Sequence, residues 1–181
     1  TTSAISGDGP FSECDNLKNI TFEAGTTRIA EHLFGNCKGL EKIEIPDTVQ
    51  SIENRAFYKC ASLTEVKIGN GVTKIGYEAF EDCSKLTTVV IPDSVVEIEN
   101  DSFSKCKSLS SVKLSSNLKT LESGAFYNCD KLTSIMIPKS LEEATRWSTV
   151  GGDGPFSDCD NLKNVTFEAG TTRIAQNLFG D

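Results

Sequence analysis

The chain has 181 residues, with 26 acidic against 18 basic side chains, a formal net charge of −8 and a pI near 4.8. That length accommodates one domain with a sizeable core, and the acidic balance argues against a sequence-independent grip on nucleic acid, which needs a basic face. No apolar run approaches the roughly 18 residues of a membrane span, and seven cysteines cannot all pair within one chain. From Gly7 to Ala30 the chain reads GDGPFSECDNLKNITFEAGTTRIA, and Gly152 to Ala175 repeats it with changes only at Glu13/Asp158 and Ile20/Val165.

The cysteines at 14, 37, 60, 83, 106, 129 and 159 explain the near-copy: they step by 23 residues five times and by 30 once. Three residues before each stands a phenylalanine (Phe11, Phe34, Phe57, Phe80, Phe103, Phe126, Phe156), and three after each a leucine, from Leu17 to Leu162. Ile or Val follows at six after, and Ile, Leu or Phe at eight after, so each unit carries F-x-x-C-x-x-L-x-x-[IV]-x-[ILF]. A unit this short cannot bury its own apolar face; stacked coils can, and the pattern predicts a solenoid with a continuous core of like-residue ladders.

Within each unit the expected elements run in a fixed order. A stretch such as RAFYKC is too short for a regular helix and predicts one helical or 3₁₀ turn. The alternation in a stretch such as LTEVKI, Leu63 to Ile68, predicts one short strand per unit, seven in all. IPDS or GNG then ends it as a turn. Two columns of the strand face outward: Asn19, Lys42, Glu65, Thr88, Ser111, Ser134, Asn164, and Thr21, Glu44, Lys67, Val90, Lys113, Met136, Thr166. Stacking in register sets Lys42 beside Glu65 and Glu44 beside Lys67, whereas a one-residue slip would bury these charges. The seven-residue insertion falls between Ala144 and Phe156, in TRWSTVGGDGP, and brings the only tryptophan, Trp147, beside Arg146.

The L-x-x-[IV]-x-[IL] strand resembles that of leucine-rich repeats, and the 23-residue period with AF-x-x-C-x-x-L and IP-[DK]-[ST]-[VL] resembles the BspA-like (Treponema-type) branch. The departures are local: FEAGTTRI in the end units, Leu33 and Leu178 before the phenylalanine, and Ala144 for the usual isoleucine. The resemblance implies a right-handed, curved, β-rich array with a parallel sheet and short turns or 3₁₀ segments on the other face. On that reading residues 1–181 form a single leucine-rich-repeat domain of about seven units, cut from a longer array, with an inserted loop at 145–155. It further implies a secreted or cell-surface protein, bacterial or from a protozoan parasite, similar to adhesins that bind host matrix proteins or neighbouring cells.

Reactive chemistry finds little support. Cysteines 23 residues apart suit no zinc motif, which wants close pairs, and stacked side chains with parallel Cβ vectors strain a disulfide; the sequence predicts small buried thiols. The single histidine, His32, becomes Asn177 in the near-copy, so no imidazole is kept for a nucleophile–base pair. GGDGP with Asp153, Asp158 and Asp160 offers oxygen ligands for calcium, but a bulging turn is the simpler expectation, and no cofactor is predicted. Asn19 and Asn164 open N-x-T sequons that matter only in a eukaryotic secretory host.

The expectation is therefore a non-catalytic binding or adhesion module that recognises a protein or glycan on a host or neighbouring cell surface. Its candidate contacts are Thr88, Val90, Ser111, Lys113, Ser134 and Met136 on the strand face, and Arg146 and Trp147 in the loop, Trp and Arg being enriched at binding hot spots. Two alternatives remain at this point: a spacer projecting another domain from the surface, favoured by the near-identical duplication, and a domain of a surface carbohydrate-active enzyme with its chemistry elsewhere in the gene.

Overall fold

A computed structural model of the protein describes residues 9–145 and 154–179. The phenylalanine ladder is its spine. Eight rings stack in an unbroken column from Phe11 to Phe179, with centroids 5.1 Å apart at its centre (Phe57–Phe80 and Phe80–Phe103) and 5.9 Å at its ends (Phe11–Phe34 and Phe156–Phe179). The column crosses the insertion without a gap, Phe126 lying 5.3 Å from Phe156. Around it the leucines Leu40 to Leu132 and the cysteines Cys37 to Cys129 are fully buried, so the ladders seen in the sequence form one core.

The chain closes each of the five inner coils with two strands, where the sequence predicts one. The expected strand gives β2 (Lys42–Glu44), β4 (Glu65–Lys67), β6 (Thr88–Val90), β8 (Ser111–Lys113), β10 (Ser134–Ile137) and β12 (Asn164–Phe167). The second apolar pair of each unit supplies β1 (Arg28–Ile29), β3 (Ser51–Ile52), β5 (Lys74–Ile75), β7 (Glu97–Ile98), β9 (Thr120–Leu121) and β11 (Glu143–Ala144). These two-residue strands show no alternation long enough to betray them, yet they pair in parallel as one uninterrupted six-stranded sheet, β1-β3-β5-β7-β9-β11. The predicted seventh strand of the other set, at Asn19–Thr21, does not form, and no helix occurs among the described residues.

The sheet of longer strands is interrupted at regular intervals. Three residue pairs join β2 to β4 and β6 to β8, and four join β10 to β12, but only Glu65↔Thr88 joins β4 to β6 and none joins β8 to β10. Proline marks the alternation. Pro46, Pro92 and Pro138 follow every second strand and lack the N–H that would donate back to the preceding coil. The coils that close tightly carry Gly69, Ser115 and Glu168 at that position, and the Glu168 N–H donates to the Ile137 carbonyl at 2.9 Å. In the same closed steps the Ile45 and Ile91 N–H groups donate to Lys67 and Lys113; the counterparts from Ile68 and Leu114 at the open steps are missing. The aspartates of IPDT and IPDS reinforce the closed steps, Asp47 accepting from the Asn70 N–H at 2.6 Å and Asp93 from the Ser116 N–H at 2.9 Å.

The face bearing the Phe-x-x-Cys segment is built of turns and carries a third backbone ladder. Left-handed residues recur one before each cysteine and five before those from Cys37 to Cys129, for example Arg55 (φ 55) and Lys59 (φ 56), then Glu78 (φ 53) and Asp82 (φ 55). Such a conformation costs of order 1–3 kcal/mol for a residue with a Cβ. Here it aims the N–H along the array axis, where Arg55 donates to Tyr77 and Lys59 to Glu81, both at 2.8 Å. The turning backbone is satisfied by its neighbour coil instead of by a continuous 3₁₀ helix.

Candidate functional site

The six strand-face residues picked out in the sequence are all exposed and share one face. Thr88 pairs with Ser111 and Val90 with Lys113 across the closed β6–β8 step, while Ser134 and Met136 stand on β10 beyond the open one. Val90 and Met136 are 57% and 59% exposed, the highest values for large apolar side chains within the sheets. On one side the face continues into charge: Lys42 bonds Glu65 at 2.8 Å and Lys67 pairs with Glu44, in the register the sequence implies. Exposed pairs of this kind contribute about 0–1 kcal/mol each and serve chiefly to cover that part of the sheet. Lys113, two coils further on, makes no ion pair among the described residues, although its charge helps to hold the Asp93 carboxyl down.

Between β8 and β10 the open step leaves a cleft of about 390 Å³ lined by Val112, Lys113, Leu114, Ser116, Met136, Pro138 and Glu168. Val112 shows the consequence for the core: its ladder mates Ile43, Val66, Val89 and Ile135 are buried, but Val112 is only half-buried. Sequence reading finds the rim of this cleft, Lys113 and Met136, because both lie on the outward period of a strand. It misses the floor and the far wall, which exist because the step between β8 and β10 stays open beside Pro138. Arg146 and Trp147 lie outside the described residues, as does Asp153. Of the predicted loop, Thr145, Gly154 and Pro155 are described and bond into the neighbouring coils: the Ser123 N–H donates to the Thr145 hydroxyl at 3.1 Å, and the Gly154 and Pro155 carbonyls accept from Gly124 and Phe126.

A second polar cluster lies on the turn face and went unread in the sequence. The Arg55 guanidinium sits over Tyr58 and Tyr77 at 5.6 and 5.4 Å from the ring centroids and pairs with the largely buried Glu78; Lys105 bonds Glu81 at 2.6 Å. Burial alone would raise the Glu78 carboxyl, but hydrogen bonds from Arg55 and Tyr77 bring it below the usual range. Burial prevails at Glu81 and raises it, Lys105 offsetting only part, and burial likewise lifts the Tyr77 phenol to about 12. Every charge in this cluster has a partner, which makes it a brace between coils. The tyrosines on left-handed turns carried no periodic signal by which to find it.

The cysteines are free thiols, buried except Cys14. Each of the six buried thiols donates to the phenylalanine carbonyl of the preceding coil, from Cys37 to Phe11 at 3.1 Å through Cys83 to Phe57 at 3.3 Å to Cys159 to Phe126 at 3.1 Å. A small side chain with a weak donor fits where apolar packing and one carbonyl meet. Burial pushes the Cys60 thiol up to about 12 and Cys83 well above its ordinary value. His32 is a left-handed turn residue (φ 56), and Asn177 occupies the same conformation (φ 63), so the exchange of His for Asn follows backbone geometry. Among the described residues no group of three or more His, Cys, Asp or Glu is placed to hold a metal ion, and no helix is long and apolar enough to cross a membrane.

The BspA type leucine rich repeat region, a pattern of six copies, matches residues 4–95, 27–149 and 73–181. Among solved structures the chain is similar to a leucine-rich repeat protein from T. pallidum, at 31% identity and a TM-score of 0.71, over 77% of this chain and 62% of that one. It is also similar to leucine-rich repeat proteins from Eubacterium ventriosum (29% identity, TM-score 0.68, 92% of this chain and 42% of that) and Bacteroides ovatus (29%, 0.56, 78% and 41%). The chain thus spans less than two thirds of the length of each of these. No curated protein sequence matches it.

Proposed function

Because the chain belongs to the BspA-type leucine-rich-repeat family, we propose that it is a non-catalytic recognition array of a secreted or cell-surface protein, binding a protein or glycan on a host or neighbouring cell. Proteins of this family are repeat arrays of protein-interaction type and are typically surface-associated. The adhesive role and the choice of partner are our reading. One observation carries it: the outward columns change character along the array. Between Asn19 and Thr21 at one end and Asn164 and Thr166 at the other, they pass from self-paired charges at Lys42–Glu65 and Glu44–Lys67 to Thr88, Val90, Ser111, Lys113, Ser134 and Met136, with two large apolar side chains in open solvent. Self-paired charges suffice to keep a sheet face soluble; exposed valine and methionine beside an unpaired lysine favour contact with something else.

The test is binding of the protein to a panel of matrix proteins and glycans, repeated with the Val90→Glu, Met136→Glu double variant. The double variant should keep the parent's melting temperature and lose the partner. Trp147→Ala addresses the loop and should weaken binding by more than about 1 kcal/mol. A partner bound equally by all three proteins would remove both the strand face and the loop from consideration. A spacer is the second reading, favoured by the near-identical segments Gly7 to Ala30 and Gly152 to Ala175, since copying lengthens an array. A spacer binds nothing on the panel.

A further inference from the structure

The open step between β8 and β10 is a site of a particular kind. It is concave, it lies on the candidate strand face, and its walls are apolar: Val112 and Leu114 from one coil, Met136 and Pro138 from the next. The volume of about 390 Å³ falls in the range of small-ligand pockets. Neighbouring coils are too close for a whole strand to slip between them, so the cleft admits a side chain and no backbone.

Charge selects further. Two ionisable groups line the cleft, Lys113 and Glu168. Glu168 is already engaged: its carboxylate accepts from the Lys139 N–H at 3.0 Å and lies 3.5 Å from the Lys139 ammonium. Lys113 makes no ion pair among the described residues, unlike Lys42 and Lys67 on the same face, and its one charged neighbour, Asp93, is held low first by the Ser116 N–H and only then by the lysine. The cleft therefore presents an apolar hollow with one cation at its rim that no carboxylate clamps in an ion pair among the described residues.

We infer that the cleft receives a peptide segment presenting one large apolar side chain next to an acidic residue, the apolar group entering between Val112, Leu114, Met136 and Pro138 and the carboxylate meeting Lys113. This rests on the reading of the strand face as a recognition surface and names the class of partner it takes. Burying the apolar group supplies affinity, and the ion pair supplies selectivity, since the opposite charge beside Lys113 is repelled.

Met136 is the only methionine in the chain, so protein labelled with ¹³C at the methionine methyl gives a single NMR signal from the cleft wall. Blocked hexapeptides carrying Phe-Asp, Phe-Lys or Ala-Asp at the centre serve as probes. Phe-Asp should shift the signal saturably, Ala-Asp should not, and Phe-Lys should bind about tenfold more weakly, equivalent to about 1.4 kcal/mol. Lys113→Glu, a surface change whose fold is checked by its melting curve, should reverse the order of Phe-Asp and Phe-Lys. A signal unmoved by every peptide, or moved equally by Phe-Asp and Phe-Lys, overturns the inference. If a matrix protein or glycan from the panel shifts Met136 while the peptides do not, the strand face remains a recognition surface and the peptide reading falls.

Discussion

Replacing Phe80 by leucine should destabilise the protein by about 1–3 kcal/mol. The side chain is fully buried, and its ring stacks on Phe57 and Phe103, each at 5.1 Å and nearly parallel. Leucine keeps much of the apolar volume, so the main loss is two ring–ring contacts at about 0.5–1.5 kcal/mol each beyond their area. Phe11 holds the same ladder position but is 52% exposed and has one stacked neighbour along the column, Phe34 at 5.9 Å. Its leucine variant should cost under about 1 kcal/mol, since a single looser contact is lost. Urea unfolding at constant m measures both. A double-mutant cycle sharpens the comparison: Phe57→Leu with Phe80→Leu should show coupling of about 0.5–1.5 kcal/mol. Phe57→Leu with Phe103→Leu, whose rings are separated by Phe80, should add to within about 0.5 kcal/mol. Equal costs for the Phe80 and Phe11 variants, or no coupling between adjacent rings, would refute the stacked column as a source of stability and leave it as apolar filling.

Two further outcomes follow from burial. Native protein treated with iodoacetamide should be alkylated first at Cys14, the one cysteine not buried; full unfolding should expose seven thiols, as peptide mapping without reductant will count, and a map showing disulfides would contradict the free-thiol ladder. Glu122 is held above the ordinary carboxyl range, first by burial, while it accepts a hydrogen bond from the Asn100 N–H at 3.0 Å. Its raised folded value means that the unfolded chain ionises first as pH rises, so its contribution is full at acid pH and is lost on the way to neutrality. Glu122→Gln keeps an acceptor for Asn100 and should raise the melting temperature at pH 7, the gain shrinking to nothing below the ordinary glutamate pKa; a gain independent of pH would sink that account.

The ladders of Phe, Cys and Leu were legible because each repeats at one position in every unit and each position is buried. The outward columns were legible for the same reason, through the period of two, and their charges bonded as the register requires. What escaped reading has no side-chain signature. Strands such as Glu97–Ile98 are too short to alternate, and the left-handed turns are held at Arg55, Lys59 and Glu78 by bonds from the next coil, although these residue types carry no left-handed preference. Pro46, Pro92 and Pro138 were visible throughout but read only as turn punctuation; they mark the coils whose step to the coil before them stays open. That is why the rim of the cleft could be named from the sequence and its floor could not.

The alternation of closed and open steps gives the array a parity. The smallest segment that can be removed or copied without changing which coils hydrogen-bond to one another is the 46 residues between successive prolines, not the 23 of a single unit. Excising one coil would set two proline coils, or two coils without proline, side by side and break the alternation at that junction. The near-copy obeys this rule. Phe11 and Phe156 open coils six steps apart, an even number, and FEAGTTRI sits both times in a coil without proline. Copying in doublets would keep the pattern intact, and each doublet would bring one more proline step of the kind found between β8 and β10.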